Sequence, residues 1–201
     1  MTRPLLYSER RVPKVTLNKM SETTTLLSPA LTSKVATGTL FAVLGVLVLA
    51  SYGLLVRPVQ RGVDLWYGLE KPVQYVYYFF MAAAAIGLCA FVGWYCFSPQ
   101  LPTRGLFSRP WVLPVVLCVA LVASGLWSVA VAAKSQKPWF VSTCLVVVAV
   151  SSILMFAGAV EADTRTWWSV GGALAFAVCT ALNDAVGWNA NYLLSSIETG
   201  V

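Results

Sequence analysis

Residues 139–160 have the sequence WFVSTCLVVVAVSSILMFAGAV, which contains no charged side chain. A helix needs about 20 mainly apolar residues to cross the roughly 30 Å hydrocarbon core of a bilayer. In lipid, an isolated segment of this kind can satisfy its backbone hydrogen bonds only as a helix. The stretch therefore predicts a transmembrane helix.

Four further stretches have the same character, and tryptophans or basic residues lie at their ends, as expected at membrane interfaces. The five predicted spans are residues 35–56, 73–97, 111–133, 139–160 and 167–186. The fold class that follows is all-α, an integral membrane bundle of five transmembrane helices. This bundle occupies residues 34–188, between a polar basic N-terminal arm (1–33) and a short C-terminal tail (189–201).

The composition supports a membrane location and excludes several kinds of chemistry. The chain is 58 % apolar and 11 % charged, with a mean hydropathy of +0.74, whereas soluble domains are about 45–50 % apolar and 25 % charged. The absence of histidine excludes histidine-based catalytic triads and histidine-ligated haem or zinc. No nucleophile–base pair or metal-ligand pattern is visible, so we expect neither an enzyme nor a covalently bound cofactor.

The charge distribution predicts the orientation of the chain. The formal net charge is +6, but the basic residues are spread over the arm and short loops, which argues against a nucleic-acid partner. On the N-terminal side of the predicted membrane lie nine basic residues, against five on the opposite side. This excess favours a cytosolic N-terminus and a C-terminus across the membrane.

The arm leaves three interpretations open. It carries five basic residues and few acids, as mitochondrial transit peptides do. Alternatively, Glu22, Leu26 and Leu27 match the acidic dileucine motif of sorting tails in endomembranes. A third interpretation is a docking segment for a partner. The first two imply a eukaryotic intracellular membrane, either mitochondrial or of the endomembrane system.

One acidic residue falls within a predicted span. Asp184 stands beside Asn183 near the end of the fifth stretch, and ionisable groups at membrane depth are functional candidates. The alternative is a helix end that emerges among the lipid headgroups, where both residues are easily solvated. By contrast, Glu161 and Asp163 lie at a span boundary, so we expect them to be solvated.

Small residues within the spans predict where helices can approach closely. Gly87 lies in the second span, Ser124 and Gly125 in the third, and Gly171 and Gly172 in the fifth. Small side chains at membrane helix interfaces let two backbones come into contact. We therefore expect close helix crossings at some of these positions.

Several segments resemble the translocator protein family, also called tryptophan-rich sensory proteins or peripheral benzodiazepine receptors. Residues 66–72, WYGLEKP, are similar to the family's W-Y-x-x-L-x-K-P with one residue deleted. Trp127 falls on the second tryptophan of the family's N-W-x-W. Residues 174–183 resemble its L-A-F-A…T-T-L-N, and the likeness covers about residues 35–191. The W-x-P-P that follows K-P in the family is absent here.

The resemblance implies a bundle that binds a sterol, a tetrapyrrole or a similar flat apolar ligand. The first loop would form a lid over the pocket, and Asn183 would supply a polar contact. The residues that this interpretation assigns to ligand binding are Trp66, Tyr67, Tyr77, Met81, Trp127, Cys179, Leu182 and Asn183.

Two other functions are weighed against ligand binding. In the first, the protein is a non-catalytic accessory subunit of a larger membrane complex, or a homodimer, and its small and aromatic residues pack against partner helices. In the second, it is a small transporter or channel, which the lack of charged residues in mid-span disfavours. In every case, membrane lipids surround the bundle.

Overall fold

The computed structural model describes residues 16–56, 71–132 and 138–198, and the described part is almost entirely helical. It contains helices α1 (Thr16–Val56), α2 (Lys71–Phe97), α3 (Val112–Ala132), α4 (Pro138–Glu161), α5 (Trp167–Val178) and α6 (Asn189–Glu198). The short 3₁₀ turn Leu106–Ser108 precedes α3, and the π-helical segment Cys179–Trp188 joins α5 to α6.

Five helical stretches among the described residues are long and apolar enough to cross a membrane. They are Ala30–Gly53, Lys71–Phe97, Val112–Val131, Pro138–Glu161 and Trp167–Leu194. The predicted all-α bundle of five transmembrane helices is therefore confirmed, and the chain is a multi-pass membrane protein.

The helices pack in a ring whose order differs from their order along the chain. α1 packs on α3, α3 on α4, α4 on α5 and its π-helical continuation, and α5 on α2, which also contacts α1. Consequently α2 has its main partner in α5 rather than in α1. All five spans can therefore contribute side chains to one interior.

The crossing of α2 and α5 depends on two of the predicted small residues. A Cβ atom on Gly87 would lie 2.5 Å from the carbonyl oxygen of Gly172, and a Cβ on Gly172 would lie 2.6 Å from that of Gly87. The two backbones are thus in direct contact, which only glycine permits. The prediction of a close approach is confirmed at this pair, whereas the neighbouring Gly171 faces open space.

α1 extends further than the predicted first span. It begins at Thr16, inside the predicted arm, and its 41 residues give a length of about 60 Å, roughly twice the hydrocarbon thickness. Glu22, Leu26 and Leu27 lie on this helix, but their side chains are outside the described part. Ser33, assigned to the arm from sequence, is fully buried. Its hydroxyl is hydrogen-bonded to the Tyr95 hydroxyl at 2.8 Å.

The fifth span also extends beyond its predicted end. Helical structure continues from Trp167 to Glu198, so most of the predicted tail 189–201 belongs to α6. Asn189 at the start of this extension is paired within the bundle, since the Ser142 hydroxyl donates to its Oδ1 at 2.7 Å. Asp184 therefore lies inside a continuous helix and not at the helix end considered above.

The interior consists of two clusters at opposite ends of the bundle. The larger is built around Phe91, Tyr95 and Phe107, where α2 and α4 end and α5 begins. We call this the polar end, because the connecting segments 98–111 and 162–166 hydrogen-bond to each other there. The smaller cluster lies where α1 and α3 end, and we call this the aromatic end.

Candidate functional site

Hydrogen bonds close the polar end. The backbone N–H of Thr103 donates to Asp163 Oδ1 at 2.9 Å, and its hydroxyl donates to the other carboxylate oxygen. The Leu106 N–H donates to Glu161 Oε2 at 3.2 Å, and Trp94 Nε1 donates to the Thr164 carbonyl at 3.0 Å. The two acidic residues are exposed, as predicted. Their contacts hold the connecting segments together, which is a structural role.

Gly105 lets the first of these segments approach α4. Its φ angle of +77° lies in the left-handed region, and a Cβ atom there would be 2.6 Å from the Cβ of Glu161. Glycine accepts both conditions without strain. The segment thereby carries Phe107, which is fully buried, into contact with Phe91 at a ring-centroid distance of 5.8 Å.

The aromatic end gathers rings from four of the five spans. Trp127 of α3 lies 5.5 Å from Tyr52 of α1 and 5.1 Å from Trp188, between ring centroids. Trp188 in turn stacks on Tyr192 of α6 at 5.1 Å, and Tyr77 of α2 packs against the group. We call these five residues the aromatic cluster. The remaining span, α4, contributes no ring to the aromatic cluster but the apolar side chains of Val141, Cys144 and Leu145.

The indole N–H of Trp127 has no hydrogen-bond partner among the described residues. The side chain is only 7 % exposed, and its Nε1 is one of two buried side-chain polar atoms in the described part without a partner, with Thr164 Oγ1. Most buried polar atoms in native proteins are hydrogen-bonded, and an unpaired donor costs about 1–3 kcal/mol. The aromatic cluster therefore offers a donor that an acceptor from outside the described residues can satisfy.

The π-helical segment places a carboxylate beside this cluster. π-helical turns are rare and are frequent at functional sites, and here the segment spans ten residues, Cys179–Trp188. Within it, Asn183 Nδ2 donates to Asp184 Oδ1 at 2.9 Å. Asp184 directly precedes Ala185, which packs against the aromatic cluster, and Trp188 of the same segment belongs to that cluster. The carboxylate and the Trp127 indole therefore lie at the same end of the bundle.

The structure brings together several of the residues predicted from sequence. Trp127 lies inside the bundle, as predicted, and Tyr77 and Met81 pack in the same cluster. Cys179 is buried in the same π-helical segment as Asp184, and Asn183 donates a hydrogen bond to that carboxylate. Their role in ligand binding stays a prediction.

Three predicted site residues are not placed in the cluster. The side chain of Leu182 is 65 % exposed on the outer surface, so the expectation that it lines an interior pocket is corrected. Cys179 and Thr180 of the same segment face the interior, so Leu182, two positions further along the helix, lies on the outer face. Trp66 and Tyr67, the predicted lid, lie outside the described residues.

Sequence reasoning missed three members of the aromatic cluster. Tyr52, Trp188 and Tyr192 lie near span ends, where aromatic residues are expected at the membrane interface. That pattern does not distinguish a ring that faces lipid from one that faces the bundle. Asp184 was recognised as a candidate, but its location at the same end of the bundle as Trp127 was not, since the two are 57 positions apart.

The chain matches no protein-family model, no curated protein and no solved structure. Among the residues described here, no group of three or more cysteine or acidic side chains could hold a metal ion. The candidate site therefore rests on its own geometry: five aromatic rings, one unpaired indole N–H and one carboxylate.

Proposed function

We propose that this multi-pass membrane protein binds a flat, largely apolar ligand at the aromatic cluster, in the manner of the translocator proteins that its sequence resembles. The unpaired Nε1 of buried Trp127 is the observation that carries the proposal. A ligand oxygen that accepts this hydrogen bond would remove the cost of the unsatisfied donor. The protein then acts by binding and not by catalysis.

The surroundings of Trp127 suit an apolar body with one polar group. Tyr52 and Trp188 flank the indole, and Met81 and Leu145 add aliphatic contacts. Contacts with aromatic rings add about 0.5–1.5 kcal/mol to the burial of apolar area. Of the two ligand classes that the resemblance implies, a sterol with a single hydroxyl fits better, because no basic side chain among the described residues of the cluster could pair with the acidic groups of a tetrapyrrole.

Binding can be measured from the intrinsic fluorescence of the protein in an uncharged detergent. A sterol analogue should quench tryptophan emission saturably in the wild type. Trp127→Ala should weaken binding by about 1–3 kcal/mol, or roughly five- to 150-fold, through the loss of ring contact and apolar burial. Trp127→Phe keeps a ring and removes only the donor and part of the area, so its loss should be smaller.

The matched control is Trp139→Ala. Trp139 lies at the same end of the bundle, but its side chain is 64 % exposed, so this change should leave affinity unaltered. Thermal unfolding of each variant separates a loss of binding from a loss of folding. Equal affinities for the wild type and both Trp127 variants, or no saturable quenching by any sterol or tetrapyrrole, would contradict the proposal.

A second candidate, an accessory subunit of a membrane complex, is favoured by the outer face of α1. An apolar groove of about 700 Å³ runs between α1 and α3, lined by Leu44, Leu47 and Leu126 among others. Leu47 and Leu49 are more than half exposed, so a partner helix could cover this face. Recovery of the protein in a stoichiometric complex, without ligand binding, would support this candidate over the first.

A further inference from the structure

We infer that the polar end of the bundle binds anionic phospholipids through three exposed arginines, Arg104, Arg109 and Arg165, which we call the arginine patch. The inference is independent of ligand binding in the aromatic cluster, because the two sites lie at opposite ends of the bundle. It follows from three features of the polar end: the pairing of its charged groups, the location of its tryptophans and the net charge of this side of the chain.

Two of the arginines flank one turn of the segment that joins α2 to α3. The N–H of Ser108 donates to the Gly105 carbonyl at 3.2 Å. Arg104 directly precedes this turn and Arg109 directly follows it. A Cβ atom on Gly105 would lie 2.6 Å from the Cβ of Glu161, so the turn packs against the end of α4.

Arg165 reaches the same part of the polar end along the chain from α4. It stands four positions after the last residue of that helix, and its Nη1 donates to the carbonyl of Val160 at 2.6 Å. The guanidinium group therefore folds back over the last turn of α4. All three arginines of the patch thus lie around the end of one helix.

The acidic groups nearby are engaged by other donors and form no ion pair with the patch. Both carboxylates at the polar end accept hydrogen bonds from backbone N–H groups or a threonine hydroxyl of the segment between α2 and α3. Among the described residues, the side chains of Arg104 and Arg109 have no hydrogen bond or ion pair. A guanidinium group carries five N–H donors in a planar fork that matches the oxygens of a phosphate. The patch therefore presents unused phosphate-binding groups.

Exposed tryptophans place the patch at the depth of the lipid head groups. Trp111 and Trp167 are 54 % and 72 % exposed, and each stands two positions after an arginine of the patch, Arg109 and Arg165. Tryptophans at the ends of membrane spans lie at the level of the head groups, and two residues extend at most about 7 Å along the chain. The guanidinium groups can therefore reach the phosphates of the surrounding lipids.

The rest of this side of the chain is positive as well. Residues 1–34, 98–111 and 161–166 contain nine basic and four acidic residues, a net charge of +5. Residues 1–29 contribute five of the basic and two of the acidic residues, so the part of the chain that precedes the first span adds positive charge to this side. On the other side, residues 54–72, 133–138 and 187–201 contain five basic and three acidic residues. An anionic bilayer surface therefore attracts the polar end more strongly than the aromatic end.

The experiment measures lipid binding to the full-length protein by native mass spectrometry in a mild uncharged detergent. Dioleoyl phosphatidylglycerol and dioleoyl phosphatidylcholine have the same acyl chains and the same phosphate but differ in net head-group charge. A basic residue near an anionic surface contributes about fivefold in affinity, so the two arginines without a partner should give phosphatidylglycerol a preference of about 25-fold. Equal affinities for the two lipids would overturn the inference.

Substitutions assign the preference to the patch. Arg109→Gln should lower the affinity for phosphatidylglycerol about fivefold and leave that for phosphatidylcholine unchanged, whereas Arg109→Lys, which keeps the charge, should lose less. Combining Arg109→Gln with Arg104→Gln should remove most of the preference. The matched control is Lys71→Gln, which removes one exposed positive charge at the opposite end of the bundle and should leave the preference intact. Equal losses in Arg109→Gln and Lys71→Gln would overturn the assignment to the patch.

A soluble competitor distinguishes a lipid site from a site for free phosphate compounds. Glycerophosphoglycerol carries the same head group without acyl chains, and at equal concentration it should not displace phosphatidylglycerol, because the lipid also gains from the burial of its chains. Displacement at equal concentration would overturn the choice of a lipid. Arg109→Gln should leave sterol affinity unchanged, so a failure of this inference leaves the sterol-binding proposal standing, and the reverse also holds.

Discussion

The two ends of the bundle differ in how a tryptophan indole is used. At the polar end, acidic residues, hydroxyls and the indole of Trp94 find partners in neighbouring segments, as in the Trp94–Thr164 bond of 3.0 Å. At the aromatic end, the indole of Trp127, which is more deeply buried than that of Trp94, has no partner in the described part of the chain. The same residue type thus completes the fold at one end and stays available for bonding at the other.

This difference indicates a division of labour along the bundle axis. In the described part, the polar end leaves one buried side-chain hydroxyl unpaired, that of Thr164, and the aromatic end leaves the indole N–H of Trp127. An unpaired buried donor is stabilised by any acceptor that reaches it. The polar end fixes the arrangement of α2, α4 and α5. The aromatic end includes the π-helical segment, and a ligand that accepts a hydrogen bond from Trp127 would gain binding energy there.

The largest effect is expected where α2 and α5 cross, since the backbones of the two helices are in direct contact there. In Gly172→Leu the new side chain would meet the α2 backbone, because even a Cβ there lies 2.6 Å from the Gly87 carbonyl oxygen. Overpacking of this kind costs about 1–3 kcal/mol or more, measurable as a lower midpoint of unfolding in detergent. The control Gly171→Leu faces open space and should change stability by less than about 0.5 kcal/mol. Equal effects would contradict the crossing.

A smaller effect tests the two tryptophans directly. Replacing an indole with 3-benzothienylalanine exchanges the N–H for sulfur and keeps the ring shape. At Trp94 this removes the bond to Thr164 and should cost about 1 kcal/mol of unfolding free energy. At Trp127, where no bond is lost, stability should stay equal or rise, while sterol affinity falls. A similar destabilisation at both positions would show that the two ends do not differ.

The smallest effect concerns pH and the polar end alone. Hydrogen bonds from the hydroxyl and then the backbone N–H of Thr103 hold the pKa of the Asp163 carboxyl below its ordinary value of 3.8. A lowered pKa in the folded state contributes stability above the ordinary value, and this contribution is lost as the pH falls through that value and below. Unfolding midpoints measured from about pH 6 down to about pH 3 should therefore fall more steeply for the wild type than for Asp163→Asn. Parallel curves would contradict the role of this bond.

Much of the fold could be predicted from the sequence, because lipid imposes a simple rule on it. The apolar stretch 139–160 predicts a helix by length alone, and α4 spans Pro138–Glu161. The ends were harder to predict, since polar residues such as Ser33 and Asn189 normally signal an exit from the membrane. Here each is hydrogen-bonded inside the bundle, so α1 begins earlier and the fifth span ends later than expected.

The candidate site could be predicted only in part. Tyr77, Met81 and Trp127 were assigned to it by resemblance, and the structure places them in one cluster. Tyr52, Asp184 and Trp188 were not connected with them. Helical periodicity indicates which residues share a face of one helix, but not which helix that face meets. For the same reason, the sequence placed Leu182 in an interior pocket, although its side chain faces outward.

The sequence by itself determined the membrane environment, the number of spans and the absence of histidine chemistry, because these depend on composition and on runs of local residues. Only the tertiary structure decided that α2 pairs with α5 and that Trp127 and Asp184 lie at one end. It also decided that, among the described residues, the indole of Trp94 has a hydrogen-bond partner and that of Trp127 has none. Contacts between helices depend on where two surfaces fit, as at Gly87 and Gly172. That fit depends on residues far apart in the chain, so no single segment encodes it.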